Sequence, residues 1–210
     1  QGRKLLITAG PTFEPIDPVR GITNLSSGKM GYALARAARA AGAEVTLVSG
    51  PTALPVPAGV RVLPVTTARD MHDAVMSNVA GQQVFIAVAA VADWRVAEAS
   101  TQKIKKQDGG TPTLSFAENP DILAAVAALP SPPYCVGFAA ESENLLQHGA
   151  AKRLRKKIPL LVGNIGHQTF GKDDNELVLF DDAGTHPLPR ASKEALAAML
   201  VAEIAQRLRA

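Results

Sequence analysis

The segment Ile7–Pro51 reads ITAGPTFEPIDPVRGITNLSSGKMGYALARAARAAGAEVTLVSGP. An apolar strand, Leu5 to Ala9, runs into a glycine turn at Gly10. A long loop rich in proline and polar residues follows, then Ser26-Ser27-Gly28-Lys29-Met30-Gly31, an alanine-rich helix and a second strand. A strand that feeds a helix through small residues leaves backbone N–H groups open at the helix start. With the helix dipole, those groups favour an anion. The segment is therefore read as a β-α-β unit with a phosphate-bearing ligand at its turn.

Two common phosphate fingerprints do not fit this turn. A P-loop needs G-x-x-x-x-G-K-[ST], whereas Gly21 precedes Gly28 by seven positions and Met30 replaces the metal-holding hydroxyl. The dinucleotide fingerprint G-x-G-x-x-G fails because the strand runs into Gly10-Pro11-Thr12. Pro11 also removes a backbone donor. The expected geometry is Rossmann-like with a different ligand chemistry.

Outward from this unit the β-α alternation continues. Strands are predicted at Lys4–Ala9, Glu44–Ser49, Val60–Val65, Val84–Ala90, Thr113–Ala117, Tyr134–Ala139 and Pro159–Asn164. Helices are predicted at Lys29–Ala41, Ala68–Val79, Asn119–Ala128, Leu145–Lys157 and from Ser192 to Leu208. Thr67 with Asp70 reads as a capping box, Gly42 as a helix stop, and Pro120 as a first-turn proline. Glu176–Asp181 and His186–Leu188 flank Asp182-Ala183-Gly184 as a hairpin. The fold expected is α/β: a Rossmann-like, mostly parallel sheet with helices on both faces, a C-terminal β-hairpin and a flexible lysine-rich flap. Ligands of such sheets bind beyond the carboxyl ends of the strands. Gly10, Ala89–Asp93, Phe138–Glu141 and Asn164 converge on that rim.

At 210 residues the chain is read as one domain with a substantial core. A hydrophobic content of 47% excludes disorder, and no apolar run is long enough for a membrane helix. One cysteine fits a reducing compartment, and Cys135 reads as a core thiol. The four histidines show no metal-ligand spacing. A net charge of +3 suits an anionic small molecule without demanding nucleic acid. An aromatic content of 4% argues against an RNA-binding module, because base-stacking platforms need rings. There is no signal-peptide pattern, and the opening at Gln1 reads as part of a longer polypeptide.

The motifs ITAGPTxEPIDPVR, ITNLSSGKMG, VTLVSGP, AAVADW, KIKK, ENPDIL, VGFAAE and KRLRKK occur in this order over nearly the whole chain. Together they resemble the bacterial, CTP-dependent phosphopantothenoylcysteine synthetases. The resemblance implies a cytoplasmic, homodimeric ligase of coenzyme A biosynthesis. It would activate 4′-phosphopantothenate with CTP to an acyl-cytidylate, couple it to L-cysteine, and use Mg²⁺ with the nucleotide. It also implies a flavin-dependent decarboxylase fused N-terminally, with no flavin in this domain. A nicotinamide oxidoreductase is the alternative that β-α architecture alone allows. Two departures stand out: Trp94 where Tyr or Phe is usual, and Gly163-Asn164-Ile165-Gly166 at a turn that usually differs.

By this resemblance Asn24 contacts the acyl-cytidylate and Lys103 the α-phosphate. CTP falls to Ala87, Val88, Ala89, Asp93, Lys103, Asn119, Pro120, Asp121, Ile122, Phe138, Lys152 and Lys156. Phosphopantothenate falls to Gly10, Arg20, Ser26, Gly28, Gly31 and Asn164, with Arg20 supplied by the other subunit. The Asp93 carboxylate, at a strand end, suits either a nucleotide hydroxyl or a share in holding Mg²⁺, and the resemblance favours the contact to CTP. Read alone, each has a plainer account. Asn24 and Asp93 are turn residues, Arg20 a surface cation, Ala87–Ala89 buried strand, and Lys103–Lys106 a solvated charge run. Lys152 and Lys156 share one helix face, as do Arg153 and Lys157, and spacing alone does not choose between the pairs.

Overall fold

The computed structural model describes residues 2–106, 113–141, 145–165 and 174–209. Gly166, His167 and the end of the lysine-rich stretch, 107–112, lie outside them. β1 (Lys4–Ala9) leads into a hairpin of β2 (Phe13–Asp17) and β3 (Arg20–Thr23), then α1 (Lys29–Ala40) and β4 (Glu44–Ser49). β5 (Arg61–Pro64), α2 (Ala68–Asn78), β6 (Val84–Ala87), β7 (Trp94–Val96) and β8 (Phe116–Glu118) follow. Next come α3 (Ile122–Ala127), β9 (Tyr134–Glu141), α4 (Leu145–Lys156) and β10 (Leu160–Ile165). The chain closes with β11 (Asp174–Asn175), β12 (Val178–Asp181), β13 (Gly184–Pro187), β14 (Ala191–Ser192) and α5 (Lys193–Arg207).

The main sheet runs β13-β12-β10-β9-β6-β1-β4-β5. From β5 to β10 every neighbouring pair is parallel, and β12 and β13 add on antiparallel. Strand order reverses between β1 and β6, so a crevice opens beyond their carboxyl ends. The central strands β1 and β6 are buried on both faces, and their side chains alternate between two cores. Leu5, Ile7, Val84 and Ile86 pack under α1 and α5, while Leu6, Phe85 and Leu161 pack with Met71 and Val75 of α2 and Val126 of α3. α4 lies against β9, β10 and β12.

The sequence reading of the main strands and helices holds, with differences at their ends. β6 stops at Ala87, and the apolar run continues as an irregular segment. There Ala90 N–H donates to Gly10 O at 2.9 Å and Thr12 N–H donates to Ala90 O at 3.2 Å. An apolar run signals burial but not where the ladder ends. Pro120 precedes the helix instead of opening it: Asp121 is the N-cap of α3, and its Oδ1 accepts Ala124 N–H at 3.0 Å. The strand expected over Thr113–Ala117 falls at Phe116–Glu118. The supposed long loop after Gly10 contains the β2–β3 hairpin, hidden in the sequence by its prolines and by the irregular register between Pro15 and Asp17.

Candidate functional site

The first part of the site is the contact between the end of β1 and the start of α1. Gly10 and Gly28 both take left-handed backbone conformations (φ 74° and 76°), which favour glycine. A Cβ on Gly28 would stand 3.2 Å from Gly10 Cα, and one on Gly31 would stand 2.5 Å from Ala9 Cβ. The helix start therefore rests directly on the strand end. Ser26 Oγ accepts Gly28 N–H at 3.3 Å and Ser27 Oγ accepts Lys29 N–H at 3.4 Å, which shapes the turn before the helix. Asn24 joins this turn to the segment after β6, donating from Nδ2 to Ala90 O at 2.9 Å. Gly10, Asn24, Ser26, Gly28 and Gly31 are thus brought together. Asn164 is not beside them: β9 and β6 separate its strand from β1, about 14 Å at ordinary strand spacing.

The second part is a cavity of about 500 Å³ beyond β6 and β9. Its lining includes Ala87, Ala89, Asp93, Asn119, Pro120, Asp121, Ile122, Phe138, Lys152 and Lys156, all expected at CTP. Val88 is absent from it; that residue packs instead against the core under α1. Lys103 is also absent from the lining. Lys156 Nζ forms an ion pair with Asp121 Oδ2. Burial pushes the Asp121 carboxyl up, but Lys156, the Ala124 N–H and the charge of Lys152 outweigh this and lower it. The carboxylate is thus ionised and shared between capping a helix and holding a cation.

Asn119 braces the wall. Its Nδ2 donates to Ala92 O at 2.9 Å, its Oδ1 accepts from Arg95 Nη1 at 3.3 Å, and its N–H donates to Asp93 O at 2.8 Å. Arg95 Nη1 also donates to Glu118 O. Sequence reasoning missed Arg95. It also missed Thr8 and Thr12, buried hydroxyls that accept Ala89 N–H at 3.3 Å and Ala92 N–H at 3.0 Å. A threonine directly flanking the glycine turn was the available signal, because a buried hydroxyl there must find a partner. Among the described residues no three His, Cys, Asp or Glu side chains cluster to hold a metal ion. Asp93 is exposed on the cavity lining, a donor set that fits an ion held mainly by ligand phosphates.

The third part is an arm that carries Arg20 and Lys103. Arg20 Nε donates to Asp17 Oδ2 at 3.0 Å, and its Nη2 donates to Ile104 O at 2.7 Å. The arginine expected at a phosphate is thus engaged within its own chain, half-exposed, beside the lysine segment.

A six-strand parallel core reversing between β1 and β6, with a lysine-bearing cavity at the switch point, defines a Rossmann-like α/β domain suited to phosphorylated ligands. The chain belongs to the family of the DNA/pantothenate metabolism flavoprotein C-terminal domain, whose model matches residues 1–208. It is 50% identical over 205 residues to the coenzyme A biosynthesis bifunctional protein CoaBC of Vibrio cholerae, covering 95% of this chain and 51% of that protein. It is 49% identical over 209 residues to the CoaBC protein of Escherichia coli, covering 97% of this chain and 52% of that one. The chain therefore spans about half the length of these curated relatives. The crystal structure of the C-terminal domain of a CoaBC protein superposes with a TM-score of 0.84 at 37% identity, covering 100% of this chain and 97% of that one.

Proposed function

We propose that the chain is a phosphopantothenate–cysteine ligase domain, residues 1–210 of a longer bifunctional polypeptide whose N-terminal part is a flavin-dependent decarboxylase. It acts in the cytoplasm as a homodimer. CTP activates the carboxylate of phosphopantothenate, pyrophosphate leaves, and the amine of L-cysteine displaces CMP from the acyl-cytidylate. The observation that carries this reading is the cavity itself, where residues from four separate motifs, around Ala89, Asp121, Phe138 and Lys156, meet at one strand-end rim.

The roles follow from chemistry. Lys152 and Lys156 offset the charge of the triphosphate. The Asn119–Ile122 turn and Ala87–Ala89 bound a pocket for the base and sugar. Asp93 would help hold Mg²⁺ together with the nucleotide phosphates, and the ion would offset their charge. Asn24 offers a neutral donor to the acyl oxygen, and Lys103 offsets charge as pyrophosphate leaves. The α1 turn receives the phosphate of phosphopantothenate. The absent glycine fingerprint argues against a nicotinamide oxidoreductase.

Pyrophosphate release from CTP, measured with and without phosphopantothenate and cysteine, tests the reading. Release must depend on phosphopantothenate. Lys103→Gln is expected to suppress it even without cysteine, by about 10²- to 10³-fold. Asn24→Asp is expected to impair capture by cysteine, so that acyl-cytidylate accumulates in a quenched-flow experiment. Release independent of phosphopantothenate would overturn the assignment.

A further inference from the structure

Asp17 has no role in the reaction described above, yet its side chain is wholly shielded from solvent. Oδ1 accepts the N–H groups of Val19 and Arg20, both at 2.9 Å, and so closes the β2–β3 turn. Oδ2 accepts Arg20 Nε at 3.0 Å, Arg20 Nη2, and Ile104 N–H at 3.1 Å. Arg20 Nη2 donates onward to Ile104 O at 2.7 Å. One ion pair therefore holds both backbone polar groups of a residue far away in sequence. Ser100 N–H donates to Ile16 O at 2.9 Å, so Lys103 lies between two residues tied to the same strand. Closing a hairpin turn needs only Oδ1. Shielding a carboxylate from water is costly unless both its oxygens are satisfied, even with a half-exposed guanidinium beside it. Here the turn satisfies Oδ1, and Arg20 with the lysine segment satisfies Oδ2.

We propose that Asp17 is a positioning residue for the ligase reaction: through the Arg20–Ile104 clamp it fixes Lys103 on the hairpin arm, so that Arg20 and Lys103 are presented to substrate as one unit. The inference rests on the role given to Lys103 above. It makes the arm a single part that carries a cation for each phosphorylated substrate.

Two variants cut the clamp from opposite sides. Asp17→Asn removes the charge, and Ile104→Pro removes the N–H donor without touching the hairpin. In the intact polypeptide, each is expected to slow cysteine-independent pyrophosphate release by about tenfold or more, the usual consequence of losing a charge-assisted hydrogen bond. The loss falls on kcat more than on KM for CTP. In a Lys103→Gln background, Asp17→Asn is expected to add less than about twofold, because coupled residues are not additive. Without substrates, trypsin is expected to cleave after Lys105, a bond both variants keep, faster in both variants than in the parent, while cooperative unfolding is retained. If Asp17→Asn does not fold, Ile104→Pro carries the test alone. Parent-like cleavage and release rates in the folded variants, or full additivity with Lys103→Gln, would overturn the proposal. A parent that releases no pyrophosphate from CTP would instead sink the ligase reading, and the tryptic comparison would still decide the clamp.

Discussion

Lys156 pairs its ammonium with the carboxylate of Asp121, and both line the strand-end cavity. The pair joins α4 to the first turn of α3, so the cation that would meet a nucleotide phosphate already rests on an anion. A triphosphate bound there would compete with Asp121 for that ammonium, while the carboxylate would keep its second bond, to Ala124 N–H.

From this competition a mutational contrast follows. Lys156→Met is expected to raise KM for CTP about tenfold, through loss of a charge-assisted contact. Asp121→Asn keeps the cap and should leave stability nearly unchanged, whereas Asp121→Ala should cost about 1 kcal/mol. Urea denaturation measures the second effect and initial-rate kinetics the first.

Nucleotide choice is expected to favour CTP, because the pocket beside Ala87 and Ala89 is bounded by Phe138 and the Asn119–Ile122 turn. Turnover with saturating ATP is expected to be far lower. Equal turnover would show that the pocket does not select a pyrimidine.

If the active unit is a dimer to which Arg20 contributes across the interface, mixing Arg20→Ala protein with Asn24→Asp protein should restore part of the activity. Subunit exchange is established first by mass spectrometry of labelled protein. Exchange without recovery would place Arg20 in its own subunit's chemistry, where its bonds to Asp17 and Ile104 already hold it.

At the α1 start, Gly31→Ala would set a methyl 2.5 Å from Ala9 Cβ. Overpacking of this kind costs about 1 to 3 kcal/mol, and the helix start must shift. Gly81→Ala meets no neighbour but carries a φ of 75°, so only the left-handed backbone is penalised, about 1 to 2 kcal/mol. Both should lower the thermal midpoint. Only Gly31→Ala should also raise KM for phosphopantothenate.

Acid stability should depend on Asp181. Burial pushes its carboxyl up, but hydrogen bonds from His186, Arg207 and Ala183 N–H outweigh this and lower it from 3.8 to about 2. The folded value lies below the unfolded one. The contribution is therefore fully present above pH 3.8 and is lost as the pH falls to about 2. Asp181→Asn is expected to lower the urea midpoint near neutrality and to flatten its decline across that acid window.

Much of the fold is local in origin and therefore readable. The short apolar runs of β1, β4 and β6 and the cap at Thr67 with Asp70 are short-range patterns, and the structure reproduces them within a residue or two, except that β6 ends early at Ala87. The β2–β3 hairpin was illegible because Pro15, Pro18 and Gly21 break the alternation that would announce it. Asp17 closes its turn through the N–H groups of Val19 and Arg20, and the same side chain ties the hairpin to Ile104, which lies in another part of the chain.

The sequence by itself determined the strand-turn-helix start and the parallel sheet, because each rests on spacing or on a contiguous motif. Only the tertiary structure decided which cations face the cavity. Lys152 and Lys156 line it, whereas Arg153, on the same helix, donates to Ile158 O at 3.2 Å and to Asp182 at 2.7 Å. Lys157 lies past the helix end with a φ of 53°. Helical spacing defines which residues share a face. Which face meets the ligand depends on how α4 packs on β9, β10 and β12, and those contacts join residues distant in sequence.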